Sequence, residues 1–303
     1  MDALLVVDKP TGPTSHDVAA EVRQLAGLQR VGHTGTLDPL ATGVLPLCLG
    51  RATRLARFLS GSHKVYEATL KLGLDTDTYD ALGRPVQQRD ASGVTAAHVR
   101  EAARGFMGDI DQVPPPYSAR RVAGRRLHDL ARSGRPVLLA GSRVTIHRLD
   151  ITEVDVPLVR FVTEVSAGTY VRSLARDMGE ALGCGAHLAA LRRIRSGGIT
   201  LDQAHVMEDV REAARTGRLS DLMVPMNQID LGLPTAVANA VGVEAVRNGR
   251  PLGREHVCDW PELIAAGEAV RVVDEAGRLL GVAVADPGAP AVAGLHPSVV
   301  LAE

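Results

Sequence analysis

The chain has 303 residues, about two domains' worth, and its 45% hydrophobic content is enough for a large core, which excludes a disordered or fibrous protein. Its 34 Lys+Arg and 35 Asp+Glu give a net charge of −1, but residues 1–150 hold 20 basic and 15 acidic side chains and residues 151–303 hold 14 and 20. No apolar run approaches the roughly 18–20 residues needed to span a bilayer, MDALLVVDKP lacks the basic flank and cleavage site of a signal peptide, and Cys48, Cys184 and Cys258 lie far apart without a C-x-x-C. These features lead us to expect a cytoplasmic, reduced, metal-free protein.

In chain order, Ala3–Val7 reads as a buried strand broken at Lys9-Pro10-Thr11-Gly12-Pro13. Thr14 and Ser15 offer caps for a helix with Val18, Val22, Leu25 and Ala26 on one face, stopped by Gly27. Residues 30–50 mix Gly, Thr and Pro with large apolar side chains, which predicts an ordered loop leading into a buried strand. Strict alternation puts Tyr66, Ala68, Leu70 and Leu72 on one strand face and Glu67, Thr69 and Lys71 on the other. A polar turn at 75–84 follows, then a short helix near 95–104 capped by Thr95. Strands are expected over 144–165, a helix from Tyr170 to Leu182 closed by Gly183, and a further helix over roughly 186–193 carrying Leu188 and Leu191. Beyond about residue 230 the texture shifts to short strands, with a hairpin of Ala269–Asp274 and Leu279–Asp286 around Glu275–Gly277. The expected class is mixed α/β, α+β-like in character, with domains at 1–230 and 231–303.

The densest candidate for chemistry is Gly32-His33-Thr34-Gly35-Thr36-Leu37-Asp38-Pro39-Leu40-Ala41-Thr42-Gly43. It has neither the Lys-Ser/Thr of a P-loop nor the G-x-G-x-x-G of a dinucleotide turn. What remains is a glycine-punctuated loop with one carboxylate, and Pro39 biases Asp38 towards extended backbone outside any helix. Taken alone, such an aspartate is most often a turn-former bonded to its own backbone.

With the following Leu-Pro-Leu-Cys-Leu-Gly-Arg-Ala-Thr-Arg (45–54), this block resembles the signature of bacterial tRNA pseudouridine-55 synthases, the TruB-type pseudouridine synthase family. Matching segments follow in order: Asp8-Lys9-Pro10 through Ser15-His16-Asp17, Lys64-x-Tyr66, Asp75-Thr76-Asp77-Thr78-x-Asp80, Pro114 through Ala119, Gly168-Thr169-Tyr170-x-Arg172, and Gly183 through Arg193. The resemblance covers about residues 4–230. It implies the pseudouridine synthase fold with a central mixed sheet, no cofactor, and conversion of uridine to pseudouridine in the T-arm loop of tRNA.

By this resemblance Asp38 is the essential residue, facing the positive charge that develops at C1′ as uracil detaches. It must be ionised in a largely dry pocket, and Arg172 is the expected reason for a low pKa. Tyr66 is expected to stack against the extruded uracil, with its hydroxyl a candidate for removing the C5 proton. Tyr170 and Leu191 line the nucleotide pocket, and His33 helps hold the RNA loop open after the base leaves its stack. Lys9, Arg51, Arg54, Arg120, Arg121, Arg125 and Arg192 are expected RNA contacts, because residues 118–148 alone carry eight arginines and one acid. Arg121 stands where the family usually has Lys, and His128 where it usually has Tyr. The C-terminal segment resembles a PUA-like RNA-binding β-barrel, and a monomer is the expected state. A tRNA-folding helper and a one-carboxylate nucleoside hydrolase are the rival readings.

Overall fold

The N-terminal apolar run forms β1 (Ala3–Lys9) in the computed structural model, which describes residues 1–117, 121–122, 125–126, 141–261, 264–286 and 294–302. Thr14 caps α1 (Ser15–Leu25) through a capping box: its hydroxyl accepts from Asp17 N–H, and the Asp17 carboxylate accepts from Thr14 N–H. Val18 and Val22 form the buried face, and Gly27 leaves the helix at φ 62°. Residues 30–50 are ordered as expected. They give β2 (Val31–His33), a loop, and β3 (Thr42–Leu49), which is buried from Gly43 onwards.

After the short helix α2 (Ala56–Ser60), the alternating segment forms β4 (Lys64–Leu72). The polar turn is a small hairpin of β5 (Leu74–Thr76) and β6 (Pro85–Gln88), and Thr95 caps α3 (Ala96–Arg104). Then come β7 (Gly108–Gln112), the short pair β8 (Arg121–Val122) and β9 (Arg125–Arg126), the long antiparallel pair β10 (Ser142–Asp155) and β11 (Leu158–Val165), and α4 (Val171–Ala181).

Residues 186–193 are not helical. They belong to β12 (Ala186–Ser196), which pairs antiparallel with β4 and parallel with β3. Gly183 and Gly185, at φ 76° and 69°, turn the chain out of α4 directly into this strand. Its Ala, Leu and Arg content favours a helix locally, but partners on both edges decide the outcome. Bulges at Leu188/Ala190 and Arg193/Arg195 also erase the period-2 signature that would have marked a strand.

The rest of the body is β13 (Ile199–Thr200), β14 (His205–Val206), α5 (Met207–Arg215) and β15 (Met223–Pro225). Among the described residues eleven strands share one mixed sheet, whose main path runs β14-β1-β3-β12-β4-β11-β10-β7. α1, α3, α4 and α5 cover one face, burying Tyr66, Ala68, Leu70 and Leu72 with Leu45, Leu47, Leu174 and Met178.

The C-terminal segment holds β16 (Thr235–Ala238), α6 (Ala240–Arg247), β17 (Leu252–Gly253), β18 (Val257–Asp259), β19 (Ala269–Asp274), β20 (Leu279–Ala285) and β21 (Gly294–Val300). The expected hairpin is β19–β20, within a six-stranded sheet ordered β17-β21-β20-β19-β16-β18. Its Val273, Leu279, Val282 and Val299 share a core with Leu4, Val6, Val44 and Cys48 of the large sheet. Among the described residues no helix is long and apolar enough to cross a membrane.

Gly43 marks the tightest approach in the body. It has φ 100°, and a β-carbon there would stand 2.2 Å from the Arg193 carbonyl oxygen. Gly43→Ala should lower unfolding stability by about 3 kcal/mol, seen as an earlier urea midpoint. An unchanged midpoint would mean that β3 and β12 can part at no cost.

Candidate active site

Asp38 lies on the loop between β2 and β3, outside any helix, and four elements pin that loop. Ser15 Oγ, buried at the start of α1, accepts from Leu37 N–H at 2.7 Å and donates to Leu37 O at 3.1 Å. Gly12 N–H donates to Pro39 O at 2.8 Å. Arg193 Nη2, from β12, donates to Gly35 O at 3.0 Å. Lys9 Nζ donates to Ala41 O at 2.7 Å and Pro10 O at 2.9 Å. Lys9 was expected at an RNA surface, but it is fully buried and offers no surface to a phosphate; its ammonium ties β1 to the loop. Burial pushes its pKa down to about 8, against the upward pull of Asp38.

Arg172, on the first turn of α4, reaches the loop from the other side and is 5% exposed. Its Nη2 donates to Asp38 Oδ1 at 3.0 Å, and its Nε lies 2.8 Å from Oδ2 as an ion-pair contact rather than an aligned hydrogen bond. The remaining donors are fixed: Nη1 to Thr78 O at 3.1 Å and Nη2 also to Tyr117 O at 2.9 Å. Behind the guanidinium sits Asp80, buried, its Oδ2 3.6 Å from Nη1 and its Oδ1 accepting from the Thr78 hydroxyl at 2.6 Å.

A third of the Asp38 side chain stays open to the cavity. Its pKa nevertheless lies above the ordinary carboxylate value, which corrects the expectation of a low one. Burial is the largest cause and the Asp80 charge adds to it, while Arg172 and Lys9 pull the other way.

The cavity beside Asp38 measures about 240 Å³. Tyr66, Tyr170, Arg172 and Leu191 all line it, so the fold brings these four sequence-derived residues together with Asp38. Tyr170 precedes the first residue of α4 without a side-chain capping bond, and Leu191 lies on β12 rather than on the expected helix. His33 stands at the end of β2, half-buried and outside the cavity wall, and among the described residues its Nδ1 has no hydrogen-bond partner. Burial and the charges of Arg193 and His16 lower its pKa, favouring the neutral imidazole.

The expected RNA arginines are mostly engaged elsewhere. Arg51 pairs with Asp2 and reaches Leu301 O, and Arg54 donates to Val300 O, so both grip the end of the chain. Arg192 pairs with Asp8 at 2.7 Å. Arg120 lies outside the described residues, as do the side chains of Arg121 and Arg125.

Sequence reasoning missed a role for Asp80, although this residue closes the Asp75–Asp80 motif. Nor did it single out Gln112, which is buried on β7: its Oε1 accepts from Tyr170 N–H at 2.7 Å and its Nε2 donates to Tyr170 O at 3.1 Å. A glutamine ending a polar strand carries no signal of its own.

Comparison with known proteins places these features. The model of the TruB family pseudouridylate synthase (N terminal domain) matches residues 23–171, and that of the tRNA pseudouridylate synthase B C-terminal domain matches residues 172–229. The chain is 40% identical to a tRNA pseudouridine synthase B of Solibacter usitatus over 301 residues, covering 99% of this chain and all of that one. It is 46% identical to one from Geobacter sulfurreducens over 257 residues, covering 85% and 84%. Among solved structures it is similar to a chain of a Cbf5-Nop10-Gar1 complex, with TM-score 0.78, 27% identity, and 98% and 84% coverage. It is also similar to a chain of an H/ACA RNP bound to a substrate RNA containing 2′-deoxyuridine, with TM-score 0.77, 26% identity and the same coverage.

Gln112 is the acceptor for Tyr170 N–H, whereas Tyr170 O also accepts from Leu174 N–H at 3.1 Å, so Gln112→Leu should leave the N–H unpaired and lower stability by about 1–3 kcal/mol. Thermal unfolding would report it, and a Tm equal to wild type would show that water replaces the amide.

Proposed function

The chain belongs to the TruB family of pseudouridylate synthases and isomerises uridine to pseudouridine in RNA; we propose that its substrate is uridine 55 in the T-arm loop of tRNA and that Asp38 carries the chemistry. The names of its relatives support tRNA as the RNA. One observation carries the assignment of roles: the Asp38 carboxylate, gripped by Arg172, opens into the cavity that Tyr66 lines.

In this reading the target nucleotide leaves its stack and enters the cavity, because C1′ and C5 are out of reach while it is stacked. Tyr66 supplies a flat ring for the base, worth ~1–3 kcal/mol, and Tyr170 and Leu191 flank it. As the N1–C1′ bond breaks, the ionised Asp38 faces the positive charge growing at C1′. Uracil then turns and rejoins through C5, and the C5 proton leaves. One glycosidic link replaces another, so no cofactor is needed.

We assign residues 1–230 to catalysis and residues 231–303 to a PUA-like RNA-binding unit. A monomer working in the cytoplasm completes the reading. Arginines of the 118–148 segment position the RNA and the cavity selects the base.

In a tRNA transcript carrying C5-tritiated uridine, wild type should release label. Asp38→Asn should bind the RNA equally well yet release label about 10³-fold more slowly. Normal turnover by that variant would refute the role of Asp38, and free uracil in place of pseudouridine would favour a hydrolase. Burial raises the Asp38 pKa, so protonation should switch the enzyme off as pH falls through a midpoint above the ~3.9 of an ordinary aspartate. An acid limb at or below that value would contradict the burial effect.

A further inference from the structure

Two buried cations beside the cavity take no part in the chemistry above. Lys64 and Arg193 are 6% and 1% exposed, and both line the same cavity as Asp38 and Tyr66. Among the described residues neither has a carboxylate partner. Lys64 Nζ donates to Ser60 O at 2.5 Å and Ser62 O at 2.6 Å, which leaves its third N–H unspent. Arg193 Nε donates to Val44 O at 2.7 Å and Nη2 to Gly35 O, and among the described residues Nη1 has no acceptor.

The two side chains converge on Gly35: a β-carbon there would meet Arg193 Nη1 at 3.4 Å and Lys64 Cε at 3.9 Å. Thr34, fully buried and next to Gly35, lines the same cavity, and among the described residues its hydroxyl has no hydrogen-bond partner. Both cations donate to backbone carbonyls and not to Asp38, whose carboxylate is held by Arg172. Unpaired cations held out of water are costly, and among the described residues these two and the Thr34 hydroxyl present three donors with no acceptor.

Strand register says which anion suits them. Arg193 lies directly opposite Tyr66 in the β12–β4 pairing, and Lys64 is two residues from Tyr66 on the same face. Directly opposed side chains start about 5 Å apart. A base stacked on Tyr66 therefore brings its edge to these donors, whereas its flanking phosphates stay with the RNA strand at the mouth.

When N1–C1′ breaks, the bonding pair departs with uracil and spreads onto O2 and O4. We propose that Thr34, Lys64 and Arg193 form an oxyanion end of the cavity that stabilises this negative charge while Asp38 faces C1′. The inference rests on the isomerase reading above. The base's electron pair then forms the C1′–C5 bond, C5 loses its proton and N1 regains one, so no co-reactant is required. Preorganised donors aimed at developing charge act on the transition state more than on binding.

The test is single-turnover pseudouridine formation, measured against pH together with RNA affinity. Lys64→Met should slow the reaction on the order of 10²-fold while the RNA Kd stays within about twofold. Burial and the Arg193 charge push the Lys64 pKa down to about 8. The titratable groups that line the cavity with that ammonium are Arg193 from β12, Tyr66 on its own strand, Asp38, and Tyr170 and Arg172 at the start of α4. The wild-type rate should therefore fall above about pH 8, and Lys64→Arg should keep most of the rate but lose that alkaline limb. Should Lys64→Met fail to fold, Thr34→Val, expected to be about tenfold slower, makes the same distinction. A weaker Kd with unchanged rate would make these residues phosphate contacts and overturn the proposal, as would an alkaline limb that survives in Lys64→Arg. A wild type that forms no pseudouridine would sink the isomerase reading as well.

Discussion

The ion pair between Asp38 and Arg172 is the constraint around which the body is organised. Each partner alone would be a buried charge, and stranding one by removing the other typically costs 3–5 kcal/mol. The guanidinium is held by the loop before β3, by Thr78 and Asp80 between β5 and β6, by Tyr117, and by its own helix. Those contacts lie 134, 94 and 55 residues from Arg172 in sequence, so the pair forms only when the sheet has assembled. Such over-determination leaves the carboxylate one orientation, open to the cavity.

Burial that raises the Asp38 pKa also makes the carboxylate effective. In a low-dielectric site a charge interacts far more strongly than in water. A fully solvated aspartate would be ionised at any pH of interest and would stabilise little. Arg172 and Lys9 offset the desolvation, while Asp80 prevents the guanidinium from simply neutralising its partner. The site balances two carboxylates against one arginine and a nearby lysine.

Much of this was legible in the sequence where local chemistry and fold agree. Thr14 and Thr95 announce their helices, the alternation around Tyr66 announces β4, and Pro39 keeps Asp38 out of a helix. Legibility failed where tertiary contacts override composition. β12 reads as a helix because two bulges hide its alternation, and its neighbours, not its residues, make it a strand. Lys9 looked like a surface cation because nothing local reveals that backbone carbonyls surround it. Arg51 and Arg54 were expected to meet RNA, yet Arg51 pairs with Asp2 at 2.6 Å and Arg54 donates to Val300 O on the last strand, partners that lie far away in sequence. Gln112 works through the two backbone groups of one distant residue, a role no residue type advertises.

The apolar core that joins the two sheets has a mechanical consequence. Leu4, Val6 and Val44 pack against Val282, Val299 and Leu301, and Arg51, Arg54 and Arg57 staple the final strand beside them. A hydrophobic seam of this kind leaves little room for hinge motion between the halves. An RNA that touched both would meet a fixed caliper, one that gauges the spacing between two parts of a folded molecule instead of bending to follow its sequence.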